Sequence, residues 1–136
     1  MKILFIAPSL CALWGGTTVA ILSIYHALKK QGAWIELWST RSEHDKISPE
    51  LLDDKDIKFF DSVTNWRYSI NLQNELERRV REFDIAHIHG MWLYPHYVAA
   101  KIAKKYSIPY LGFCCIFQAL SIFYKLCAFN IISFFE

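Results

Sequence analysis

The residues best suited to chemistry in this 136-residue sequence stand in two short stretches. The first, "DIAHIHGMW" (Asp84–Trp92), sets His87 and His89 two apart at the end of an apolar run, with Gly90 and Trp92 close behind. Side chains alternate along a strand, so both imidazoles project to one face and Ile88 to the other. Such a pair can begin a metal site, sit as satisfied structural histidines, or line a cleft against a polar substrate. No thiolate or carboxylate stands nearby to complete a metal set: Asp84 lies at the strand's opposite end, and His96, one turn into the next helix, comes closest as a third ligand. No metal is expected. The second stretch, "WGGTT" (Trp14–Thr18), holds the double glycine Gly15–Gly16. Between a strand and a helix, two glycines let the backbone approach a ligand, and the helix N-terminus behind them favours phosphate. The plainer reading is a turn that needs positive φ. This stretch is neither GxGxxG nor a P-loop, since no Gly-Lys-Ser/Thr follows.

Trp14, Trp92 and Tyr94 share these two loops. Flat aromatic faces suit sugar rings and isoprenoid or lipid-linked acceptors, and aromatics in loops also simply pack. No Ser-His-Asp order, nucleophile elbow or HExxH is present, so the catalytic residues stay unassigned.

The elements that must position these residues alternate. "KILFIA" (Lys2–Ala7) has the continuous apolar pattern of a parallel strand covered on both faces. A loop punctuated by Pro8, Gly15 and Gly16 leads to a helix capped by Thr17 or Thr18 and running to about Gln31, with Ile21, Ile24, Tyr25 and Leu28 on one stripe. Gly32 suits a left-handed stop. Strands follow at Ala33–Thr40 and "IKFFD", separated by "RSEHDKISPELLDDKD", which reads as a charged surface loop with little chemistry to offer. Ser69–Phe83 is an amphipathic helix. "DIAHIHG" is the fourth strand, "LYPHYVAAKIAKKY" a helix, and "IPYLGF" the fifth strand. Connections this long exclude hairpins and demand an α/β fold: a Rossmann-like parallel sheet with helices on both faces, its ligands bound past the carboxyl ends of the strands. Both glycine signals and the histidine pair fall there.

Composition narrows the function. A net charge of +2, from 15 basic and 13 acidic residues, makes no electrostatic case for nucleic acid. The four cysteines form no CxxC pair, which leaves neither a zinc site nor a disulfide framework expected. Pro8 cuts the apolar N-terminus too short for an export signal, so a cytoplasmic setting is expected, with peripheral contact at the inner face of a membrane left open. The regime changes at Phe113. From there to Glu136 only Lys125 and Glu136 are charged, while six of the ten Phe and three of the four Cys crowd in.

Taken together, "MKILFIAPSL…WGGTTVAILSIYHALKKQGAWIELWST" and "DIAHIHGMWLYPHYVAAKIAKKYSIPY" resemble the N-terminal domain of family 4 glycosyltransferases with the GT-B fold, over roughly Met1 to Leu111. The resemblance implies a retaining enzyme that uses a nucleotide sugar as substrate and needs no metal or other cofactor. It implies that Gly15 and Gly16 face the donor diphosphate and acceptor, and that His87, His89, Gly90 and Trp92 line the acceptor side of the cleft. The acceptor would be a glycan or a lipid-linked sugar.

The chain departs from that family after "IPYL". "GFCCIFQ" stands where a Pro-His-Gly type motif would contact the donor sugar, and the C-terminal domain with its nucleotide pocket has no counterpart. A domain over residues 1–112 followed by an aberrant, frameshift-like tail over 113–136 is the expectation. The tail's rival readings are a membrane anchor, against which Gln118, Lys125 and Asn130 argue, and a short helical end to the domain. The rival function is a non-enzymatic Rossmann-like module that binds a nucleotide or a partner protein.

Overall fold

The computed structural model describes residues 1–113; of the segment 113–136, read above as a tail, Phe113 ends the fifth strand and 114–136 lies outside the described residues. Five strands form one open, all-parallel sheet in the order β3-β2-β1-β4-β5. They are β1 (Lys2–Ala7), β2 (Trp34–Arg41), β3 (Ile57–Asp61), β4 (Ile85–His89) and β5 (Tyr110–Phe113), and the helices are α1 (Gly16–Lys30), α2 (Pro49–Asp53), α3 (Ile70–Arg79) and α4 (Tyr94–Lys105). This is the α/β, Rossmann-like architecture expected from the alternation of elements.

Alternation along β1 builds the two cores. Ile3, Phe5 and Ala7 join Ile21 and Tyr25 of α1 with Ile35, Leu37 and Ile57 on one face. Leu4 and Ile6 join Trp38, Ile88, Leu72 and Leu76 of α3 and Val98, Ala99 and Ile102 of α4 on the other. The chain therefore covers one face with the crossovers between β1 and β3, then changes face to reach β4. On the α3 face a polar group is buried with its partners: Arg79 donates to both carboxylate oxygens of Glu36, and the Trp38 indole donates to the same carboxylate.

Three local readings need correction. Gly15, not Thr17 or Thr18, is the N-cap of α1, and no side chain caps that end. Thr18 Oγ1 instead donates to the Cys11 carbonyl (3.0 Å), fastening the first turn back onto the preceding loop. The helix expected over Ser69–Phe83 is α-helical only to Arg79 and tightens to a 3-10 turn over Val80–Glu82. Ser69 does cap it, accepting from the Leu72 amide. The supposed surface loop between β2 and β3 contains α2 and the buried carboxylate of Asp45. Elsewhere β1 and β3 fall where expected, and Gly32 takes the left-handed conformation (φ 82°) that ends α1.

Leu76 is buried against the sheet, whereas Ile70, at the start of the same helix, is 46% exposed. Leu76→Ala should cost about 2–5 kcal/mol in denaturant unfolding and Ile70→Ala less than about 1 kcal/mol, because only the first leaves a cavity. Equal losses would contradict the packing of α3.

Candidate functional site

Strands β1 and β4 are neighbours, yet the loop after β1 leads to α1 on one face and the loop after β4 leads to α4 on the other. The two connections part at this point and leave a crevice at the carboxyl ends of the strands. One lip is the loop Pro8–Gly15 with the first turn of α1; the other is Gly90–Leu93.

The double glycine sits on the first lip, and its members differ. Gly15 has φ 53° and ψ −124°, a conformation costly for any residue with a Cβ. Gly16 is the first residue of α1 and needs no such freedom. A Cβ on either would meet nothing within 4 Å, so the surface over both is open. The first intrahelical bond runs from the Val19 amide to the Gly15 carbonyl (3.2 Å). Amides before it in the first turn are those that helix geometry leaves without intrahelical partners. Open space in front of such amides can accept an anion.

On the opposite lip the histidines project to one face as expected, and they do so at depth. The rings of His87 and His89 lie 4.1 Å apart between centroids, both against Phe5. His89 is fully buried, while His87 is half-buried. His96, also buried, accepts from the Leu93 amide at Nδ1 (3.2 Å), which closes the first turn of α4. Its ring lies over Gly90: a Cβ there would approach His96 Nε2 to 2.8 Å, and Gly90 has φ 107°. Gly90 is therefore required by the backbone and by the ring above it. Trp92, near the end of this lip, is 73% exposed with φ 74°. Among the described residues no group of three or more His, Cys, Asp or Glu could hold a metal ion. Asp84 stands at the far end of β4, where its carboxylate accepts from the Lys2 amide (2.6 Å).

Burial sets the charge of this cluster. It pushes the His89 imidazole down to about 3, with His87 and His96 adding like-charge repulsion, and the His87 imidazole below its usual value. Burial also pushes His96 down to about 4, although the carbonyls of His89 and Met91 favour its proton. At neutral pH the cluster beneath this lip is thus one of neutral imidazoles, able to donate or accept a hydrogen bond but not to act as a cation.

Two groups that sequence reasoning passed over complete the rim. Arg67, in the β3–α3 loop, makes a two-pronged ion pair with Asp45 from the β2–α2 loop, and both side chains are about nine-tenths buried. Burial alone would raise the Asp45 carboxyl, but the Arg67 guanidinium and the Ser42 amide outweigh it and hold the carboxyl below the usual range. Asp45 also accepts from Ser9 Oγ (3.3 Å), and the Arg67 guanidinium lies over the Trp14 ring at 5.4 Å. One buried pair thus joins the loops after β1, β2 and β3. The second group is aromatic: Trp66 donates to the Trp92 carbonyl (3.2 Å) and packs edge-on against Tyr94. The signal was "TNWRY", a Trp and an Arg in a loop at the carboxyl end of a strand.

Two predictions follow from this geometry. Gly15→Ala should destabilise the fold by about 1–2 kcal/mol and Gly16→Ala by less than about 0.5 kcal/mol, since only Gly15 occupies a conformation that penalises a Cβ; melting curves read the difference. The buried histidines titrate near 6.5 when unfolded and well below when folded, so the unfolded chain binds protons first as pH falls. Their contribution is intact above pH 6.5 and is lost as pH drops from 6.5 towards 4, at about 2 kcal/mol per fully shifted histidine by pH 5. The carboxylates that ion pairs hold low start to matter only below about pH 4.5. Denaturant midpoints that stay level between pH 7.5 and 5 would refute the buried, neutral state of the cluster.

No family model matches this chain, and no curated protein sequence matches it.

Proposed function

We propose that this domain forms the acceptor-side wall of a glycosyltransferase, which moves a sugar from a nucleotide-sugar donor to a glycan or lipid-linked acceptor. The observation that carries the reading is the seam between β1 and β4: an open double glycine at the N-terminus of α1 and an exposed Trp92 follow the carboxyl ends of two neighbouring strands, with buried neutral histidines beneath. In this reading the diphosphate of the donor lies against Gly15, Gly16 and the first-turn amides, whose partial positive charge favours it. The acceptor hydroxyl approaches from the side of His87, His89, Gly90 and Trp92. The nucleotide sugar is a substrate, and no resident cofactor takes part.

Transfer in such an enzyme needs a second wall, because stabilising the departing diphosphate takes groups closing from both sides of the donor. The proposed setting is cytoplasmic, with peripheral contact at the inner face of the membrane where a lipid-linked acceptor would reside. Among the described residues no helix is long and apolar enough to cross a membrane.

A thermal-shift panel of nucleotide sugars, dinucleotides and nucleoside diphosphates tests the reading. Nucleotide sugars should raise the melting temperature, and Gly16→Val should abolish the rise while shifting the unliganded melting point by less than about 2 °C, since its side chain enters open space in front of the helix. Stabilisation by dinucleotides alone would point to a non-enzymatic binding module.

A further inference from the structure

From the aromatic rim beside the crevice we infer a second subsite, which binds a neutral pyranose ring of an extended acceptor on Trp66 and Tyr97. The inference rests on the proposed transferase reading and specifies its acceptor as an oligosaccharide. Trp66 is 48% exposed and Tyr97 46%; their ring centroids are 6.4 Å apart and their planes differ by 30°. Two half-open rings this close form one exposed aromatic patch.

That surface is built and held. The Trp66 indole donates to the Trp92 carbonyl, and the Trp66 carbonyl accepts from the Tyr94 amide (3.0 Å). Tyr94 packs against Trp66 and Tyr68 and donates its hydroxyl to Gln73 Oε1. The loop is also strained: Thr64 (φ 67°) and Arg67 (φ 61°) are left-handed on either side of Trp66, and Trp92 (φ 74°) lies across from it. Of the four non-glycine residues with positive φ among the described residues, these are three. Strain of this kind persists where surrounding bonds over-determine it, and it collects at ligand sites. An exposed Trp held so firmly loses little side-chain entropy on binding.

Charge selects the occupant. Arg67, the basic residue next to Trp66, is consumed by Asp45, and the Lys101 ammonium lies 5.7 Å over the Tyr97 ring. Anionic headgroups would call for a cluster of free cations. Thr64 and Asn65, exposed and uncharged next to Trp66, offer hydrogen bonds of the kind sugar hydroxyls make. A pyranose has an apolar C–H face for the rings and hydroxyls at its edge for such groups. The link through the Trp92 carbonyl places this surface at the crevice mouth, so one acceptor chain can span both.

Calorimetric titration of the full chain with malto-, cello- and chito-tetraose tests this. At least one series should bind, and Trp66→Ala and Tyr97→Ala should each weaken it about tenfold. Trp34→Ala, which removes a Trp 59% exposed at the opposite end of the sheet, should not. Tyr97 projects from a helix surface, so its variant decides the matter if Trp66→Ala does not fold. Nucleotide-sugar stabilisation without any oligosaccharide binding would overturn the subsite alone; failure of both ligands would overturn the transferase reading with it. Sugar binding indifferent to both variants, or binding to anionic vesicles or self-association lost in their place, would also overturn it.

Discussion

Strand β1 is hydrogen-bonded along both edges and packed on both faces, and everything else in this domain follows from that placement. A strand in that position must be apolar on both sides, and Leu4 to Ala7 are excluded from solvent almost completely. Its neighbours β2 and β4 run parallel to it, so each connection must cross a face of the sheet and return. With β2 and β3 to one side and β4 and β5 to the other, the crossovers take opposite faces. The crevice is the seam that this division leaves. It is a product of topology before any side chain is chosen, which is why unrelated-looking loops converge there.

What topology leaves open, the Asp45–Arg67 pair closes. Burying two charges costs several kcal/mol of hydration per ion, recovered only with good geometry and further hydrogen bonds. Here the guanidinium meets both carboxylate oxygens, while Ser9 and the Ser42 amide supply further donors. The pair contributes shape more than stability: it holds three loops from three strands at one rim and leaves Trp14 lying on the guanidinium. Arg67 reaches this partner from a left-handed backbone, a cost accepted at the rim and not in the core.

The sequence showed clearly what repeats at short range and hid what depends on distant partners. β1 and β3 could be read to the residue because apolar runs end at Pro8 and at a polar Asp-Ser step. The two histidines could be assigned to one face from alternation alone. Alternation gives a side and not a depth, so nothing local revealed that His89 would be fully buried against Phe5. Amphipathic spacing did not separate the last 3-10 turn at Val80–Glu82 from the α-helix before it, because both patterns keep the same stripe inward. Asp45 was invisible among charged neighbours, since its partner lies 22 residues away and charge density in a loop ordinarily signals solvent. The role of Gly15 could be anticipated as one of two glycines, but only backbone angles told which needed to be one.

The pairing of β1 with β4 has a consequence for how the chain is made. Ile3 pairs with Ile85, and the Lys2 amide donates to Asp84 across a separation of 82 residues. At ordinary translation rates of 5–20 residues per second, roughly 4–16 s pass between synthesis of the two strands. During that interval one edge of β1 stands unpaired while β2, α1 and β3 can already assemble against its other edge and one face. A β-α-β unit formed in that interval would leave Leu4, Ile6 and Trp38 uncovered until α3 and α4 arrive. A chaperone that holds apolar strands would find its substrate in that window.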